Sequence, residues 1–141
     1  MNIEDYVNFE IAKSLKQKGF NWGCISYYEH FSSNVTLYSG MVPEWSDSYI
    51  DHNKIESRYS RPTLQMAMKW LREVHKLWIT ITFHWHTVDG ETTLYYSPYI
   101  MLSEYKNVVL EDKNSFKTKL FSTYEQACEA AIKYCLEKLV V

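Results

Sequence analysis

The chain has 141 residues with 15 basic and 17 acidic side chains, a net charge of −2 that lacks the basic bias of a protein holding duplex DNA by its phosphates. With only 4 Gly and 3 Pro it is neither collagen-like nor a low-complexity linker, and it has no room for a glycine-rich phosphate loop. Aromatic residues reach 16%, with 12 Tyr and 5 Trp, more than one core of this size requires, so some are expected on half-buried faces and interfaces.

This length suits a single domain spanning residues 1–141. The first ten residues carry no basic-then-apolar pattern, and no apolar run approaches the roughly 18 residues of a membrane span. A cytoplasmic protein without a membrane partner is therefore expected. The cysteines agree. Cys128 and Cys135 stand seven apart on a predicted helix, a rise of about 10 Å that exceeds disulfide reach, and Cys24 is left over. Reduced, buried thiols are the simplest reading.

The first predicted helix runs from Asn8, a good N-cap, to Lys18. Phe9, Ala12 and Leu15 recur at helical spacing with Ile11 beside them, and Gly19 offers the left-handed position that ends a helix. Two strands follow, Ile25–His30 and Val35–Ser39, parted by Ser32-Ser33-Asn34. Residues 40–62 show no sustained period, so they hold either a hidden short element or a functional loop. The second helix starts at Thr63 after Pro62 and carries Leu64, Ala67, Leu71 and Val74 on one face, ending near His75. Then the period switches to two. Ile79, Ile81, Phe83 and Trp85 share one strand face, while Trp78, Thr80, Thr82, His84 and His86 share the other. Asp89-Gly90 marks a hairpin, with a returning strand from Thr92 to Ser97. Residues 101–120 are irregular apart from a short edge strand at Val108–Leu110. The last helix begins at Ser122-Thr123-Tyr124-Glu125, which has capping-box form with Ser122 as N-cap. Tyr124, Cys128, Ala131, Cys135 and Lys138-Leu139 keep a heptad-like stripe, which Ala127, Ile132, Leu136 and Leu139 widen. The expected fold is α+β, in the order α-β-β-α-β-β-α, with three helices on one face of a mainly antiparallel sheet.

Three segments carry a resemblance. They are Tyr6-Val7-Asn8-Phe9-Glu10-Ile11-Ala12-Lys13 through Gly19-Phe20, Arg61-Pro62-Thr63-Leu64-Gln65-Met66-Ala67-Met68-Lys69-Trp70-Leu71-Arg72-Glu73-Val74-His75, and Ser122-Thr123-Tyr124-Glu125-Gln126-Ala127 through Leu139. Together they resemble a group of small proteins, without assigned activity, encoded by phages and integrated mobile elements of gut bacteria. The resemblance implies a phage or prophage origin and a compact α+β domain. It brings no functional residues.

Four constellations bear on chemistry. His84 and His86, two apart on a strand, lie close enough to share one metal, but a site needs a third ligand, for which Glu91 or His52 would have to fold in. Trp45, Tyr49 and His52, with Asp47, Asp51 and Glu56, make the 40–62 segment rich in binding and acid–base groups. Cys24 and His30 have the types of a nucleophile and base at a spacing that is not diagnostic. Lys18-Gly19-Phe20 echoes the start of an RNA-recognition strand, although a helix cap explains the glycine.

The composition and the absent catalytic motifs favour a non-catalytic protein-binding module, acting on a protein partner or on its own copy, with no cofactor. Inhibition of a host defence protein is one concrete form. The alternative is ligand or single-stranded nucleic-acid binding on a Tyr-rich sheet face. A metal-dependent enzyme using His84 and His86 is the third reading. The expected binding residues are Trp45, Tyr49, His52, Tyr28, Tyr95 and Tyr96.

Overall fold

The structure is a computed structural model that describes residues 5–39, 49–103, 106–111 and 118–141. It is α+β, with six strands and three α-helices among the described residues, in two compact units, Met1–Ala67 with Val140–Val141 and Met68–Leu139. The strands form two three-stranded antiparallel sheets, where the sequence led us to expect one.

In the first unit, α1 (Phe9–Gln17) starts at Asn8, whose side chain accepts from the Ile11 N–H at 2.9 Å. Its buried stripe is Ile11, Ala12 and Leu15. The helix stops because Gly19 takes φ 89°, which lets the Phe20 N–H reach the Leu15 carbonyl and the Gly19 N–H reach Lys16. Phe20 then buries its ring, so Lys18-Gly19-Phe20 is a helix terminator.

Strands β1 (Tyr27–Phe31) and β2 (Asn34–Tyr38) form the expected hairpin, turning where Ser32 takes φ 55°. The 40–62 stretch hides two elements, a 3-10 turn at His52–Lys54 and strand β3 (Arg58–Ser60), which pairs with the free side of β1. Side chains hold this segment in place. Lys16 Nζ donates to the carbonyls of Ile55, Glu56 and Arg58 at 2.7–2.9 Å. Asn53 donates to the Phe20 carbonyl and accepts from the Ser60 N–H, both at 2.8 Å. Helix α1 lies on the sheet face that carries Tyr28, His30 and Tyr59, whose rings meet Phe9 edge-on at 5.2–5.7 Å.

Helix α2 (Leu64–His75) is capped by Thr63, whose Oγ1 accepts from the Met66 N–H at 3.1 Å. Leu64, Ala67 and Leu71 are buried as expected, joined by Met68 and Trp70; Val74, one residue from the helix end, is 50% exposed. Trp70 packs edge-on to His75 at 4.6 Å. Lys76 at φ 58° turns the chain, and the Leu77 N–H returns to the Leu71 carbonyl.

The second unit is built on the hairpin of β4 (Trp78–Val88, 11 residues) and β5 (Glu91–Ser103, 13 residues). Asp89 and Gly90 take φ 51° and 79°, the two positive values of a type I′ turn. The register places Ile79, Ile81, Phe83 and Trp85 opposite Ile100, Pro98, Tyr96 and Leu94 on one face. Pro98 lies inside β5 without breaking it. The Tyr96 N–H points away from β4 to the Phe121 carbonyl, so position 98 faces the same side, just before pairing with β6 (Lys106–Val109) begins at Tyr99. No ladder bond is lost. Helix α3 (Tyr124–Tyr134) packs on β4 and β5, with Tyr124 edge-on to Tyr96, and runs into a π-helical turn at Cys135–Leu139. Its N-cap is Thr123, which accepts from the Gln126 N–H at 3.1 Å, one residue later than the Ser122 expected. Ala127, Cys128, Ala131, Ile132, Cys135 and Leu136 are buried as the stripe implies, whereas Tyr124 at its start is 37% exposed, Lys138 is exposed and Leu139 is half-buried. No helix among the described residues is long and apolar enough to cross a membrane.

Candidate functional site

The first unit contains a cavity of about 470 Å³ lined by Tyr6, Cys24, Ile25, Ser26, Ser39, Tyr49, Arg61, Pro62, Thr63 and Met66. This lies within the size range of small-molecule sites, roughly 300–1,000 Å³. Local pairings build it. Tyr6 and Thr63 form an antiparallel bridge, the Val7 N–H donates to the Pro62 carbonyl at 3.1 Å, and the Cys24 N–H donates to Ile50 at 2.9 Å. Gly23 is required beside that last crossing, because a Cβ there would stand 2.8 Å from the Tyr49 carbonyl oxygen.

Arg61 is the one charged side chain among the described residues of the lining, and it is only 4% exposed. Its Nη1 donates to Ser26 Oγ at 3.2 Å, and its guanidinium lies 4.2 Å from the Tyr6 ring centroid and 5.7 Å from that of Tyr28. Its Nε has no hydrogen-bond partner among the described residues. Tyr28 in turn donates its hydroxyl to the Val7 carbonyl at 2.8 Å, which fixes the ring that backs Arg61. Nothing in the sequence marks Arg61, Tyr6 or Thr63 as a cluster, because they meet only through the bridge between the lead-ins to α1 and α2.

The expected binding residues fall in different places. Tyr49 is 67% exposed on the cavity wall. His52 is buried, stacked on Tyr27 at 4.2 Å. Its pKa is lowered by burial first and by the Arg58 charge second, with the Cys24 and Ile25 backbone and Asp51 opposing; neither ring nitrogen makes a well-formed hydrogen bond among the described residues. Trp45 and Asp47 lie outside the described residues. Tyr28 belongs to the first sheet and Tyr95 and Tyr96 to the second, on opposite faces of β5, so the tyrosines form no single platform.

His84 and His86 do share a face. His84 Nε2 sits 2.8 Å from Ser97 Oγ and 3.3 Å from Thr82 Oγ1, while His86 packs edge-on to Tyr95 at 5.3 Å. Among the described residues no group of three or more His, Cys, Asp or Glu is placed to hold a metal ion. Cys24 and His30 line different clefts, and burial pushes the Cys24 thiol up to about 12, far from a reactive thiolate. Cys135 and Cys128 are raised to about 12 and about 11 by the same cause, and all three cysteines are free.

The second unit offers a different kind of surface. Its sheet order is β4-β5-β6, so among the described residues β4 is an open edge. On the face covered by α3, Ile79 and Ile81 are partly shielded, but Phe83 and Trp85 are each 63% exposed farther along the strand. An apolar stripe thus continues into solvent beside an unpaired row of backbone N–H and C=O groups.

Comparison with protein-family models, curated proteins and solved structures yields no match for this chain.

Proposed function

We propose that this chain is a non-catalytic protein-binding module that pairs a partner strand with the open edge of β4. In this reading it is an accessory protein of a phage or mobile element working in the cytoplasm of a bacterial host, as the resemblance of its helices implies. The observation that carries the proposal is β4 itself. It is 11 residues long, about 37 Å at strand rise, and between Trp78 and Val88 it has no Lys, Arg, Asp, Glu or Pro. Proteins normally blunt such an edge with a charge, a proline or a bulge. Strand addition satisfies the edge amides, and Phe83 and Trp85 supply the aromatic anchors that dominate binding energy.

The simplest partner is a second copy. An antiparallel β4–β4 pair is two-fold symmetric, closes on itself and sets no like-charged carboxylates or amines against each other. Light scattering on the intact chain from about 1 to 500 μM tests this, together with hydrogen exchange of the β4 amides at both ends of that range. Mass rising toward a dimer with slowed β4 exchange is expected. Trp85→Lys is expected to keep the chain monomeric and change unfolding stability by less than about 0.5 kcal/mol, because the side chain is exposed. A monomer throughout, or a dimer unaffected by Trp85→Lys with β4 still exchanging freely, removes the β4 reading.

A further inference from the structure

The cavity around Arg61 is independent of the β4 edge and fits a different kind of ligand. A guanidinium presents two faces for hydrogen bonding, an end-on pair and the side-on pair of Nε with one Nη, and each matches the two oxygens of a carboxylate. Here Nη1 is committed to Ser26, while Nε has no partner among the described residues. A buried donor left unmade costs about 1–3 kcal/mol, more when it is charged, so a cavity-lining residue with such a donor just beneath its surface gains from an acceptor brought alongside it. We propose that this cavity binds a small monocarboxylate with an apolar or aromatic body, its carboxylate held by the guanidinium of Arg61.

The remaining walls specify the rest of the ligand. Ile25, Pro62 and Met66 give apolar contact, and the Tyr6 and Tyr49 rings flank the space. Thr63 Oγ1 already accepts from the Met66 N–H, which leaves its proton to donate to a carboxylate oxygen. Ser26 has no proton left for a carboxylate, since it accepts from Arg61 and donates to the Tyr38 carbonyl at 3.1 Å. One cation balances one negative charge. A phosphate dianion asks for more, commonly a nest of backbone N–H groups or a second cation, and among the described residues the lining contains no other Lys or Arg. The size also favours a small molecule: about 470 Å³ encloses a body of ring or short-chain dimensions.

The test is a titration of the ¹⁵N-labelled intact chain followed by NMR, reading the Arg61 Nε–H signal and the Tyr6, Thr63 and Met66 amides. The probes are phenylacetate and octanoate, with phenylacetamide and inorganic phosphate as controls. Expected are saturable shifts of those signals with half-saturation below about 1 mM for at least one carboxylate, and none for the amide or phosphate. Arg61→Gln should abolish binding, but a buried position can unfold when changed. Tyr49→Ala, at an exposed wall residue, is therefore expected to weaken binding about 3- to 10-fold, and Met66→Trp to block it by filling the space, each with wild-type signal dispersion. The proposal is overturned if neither carboxylate moves the Arg61 Nε–H, if phosphate or the amide saturates the same signals, or if a well-dispersed Met66→Trp binds as tightly as the parent.

Discussion

His52 shows how far a single side chain departs from what its sequence neighbours imply. Between Asp51 and Asn53 it reads as a solvated loop residue, yet it is 4% exposed and stacked on Tyr27. Burial and the nearby Arg58 hold its pKa below 6.5, and burial does the same to His75. A depressed imidazole pKa means that the unfolded chain takes up the proton first. Above pH 6.5 both states are neutral and stability is flat; as pH falls below 6.5 the unfolded state is favoured, until the folded pKa is passed. Urea unfolding between pH 7.5 and 5 should therefore show a falling midpoint. In His52→Phe, which keeps the ring stack, the fall should be shallower, with the His75 share remaining. Equal slopes in the two proteins would mean that His52 is solvated enough to protonate in place.

At the scale of elements, end signals and hydrophobic period were both legible, and short-range chemistry explains where they slipped. Asn8, Gly19 and Thr63 act as the sequence indicated because each makes its bond within a few residues of itself. At α3 two hydroxyl residues compete, and Thr123 takes the cap, because from there Gln126 falls at the third helical position. Thr123→Ala should cost about 1 kcal/mol of unfolding free energy, while Ser122→Ala should cost a few tenths at most. Chemical denaturation of the two variants checks this, and the reverse ranking would return the cap to Ser122. The long hairpin was visible through its alternation and its Asp89-Gly90 turn. Strand β3 was not, because three residues are too few to show a period, and its place is set by Lys16 and Asn53 reaching from elsewhere in the chain. The splitting of the strands into two sheets was equally hidden, since alternation reports which face a residue takes and not which strand it pairs with.

Across the whole chain, the aromatic excess has several destinations rather than one face. Phe9 gathers Tyr28, His30 and Tyr59; Tyr27 stacks on Tyr38 and His52; Phe83 and Trp85 point outward. The exposed stripe on β4 was legible as an aromatic, period-2 strand, but the Arg61 cavity was not, because its charge, rings and hydroxyls are brought together by backbone bridges that leave no spacing to read. Charge follows the same logic. Of the cations, Arg58 pairs with Glu29 at 3.4 Å, Lys69 and Lys133 lie within 3.9–4.0 Å of Glu73 and Glu137, and Lys16 and Arg61 are turned toward the protein. With a net charge of −2, the chain as a whole has no excess of positive charge to release counterions from a nucleic acid. The chain should therefore give no shift of a 30-base-pair duplex at 10 μM protein in 100 mM salt. A single-stranded oligonucleotide is the harder case, because stacking on Phe83 and Trp85 needs no backbone charge, and a weak shift that is nearly independent of salt would be its signature. A duplex complex whose affinity drops by orders of magnitude between 50 and 200 mM salt would instead require several phosphate contacts, and with them a local cationic surface that the overall balance of 15 basic against 17 acidic side chains does not suggest.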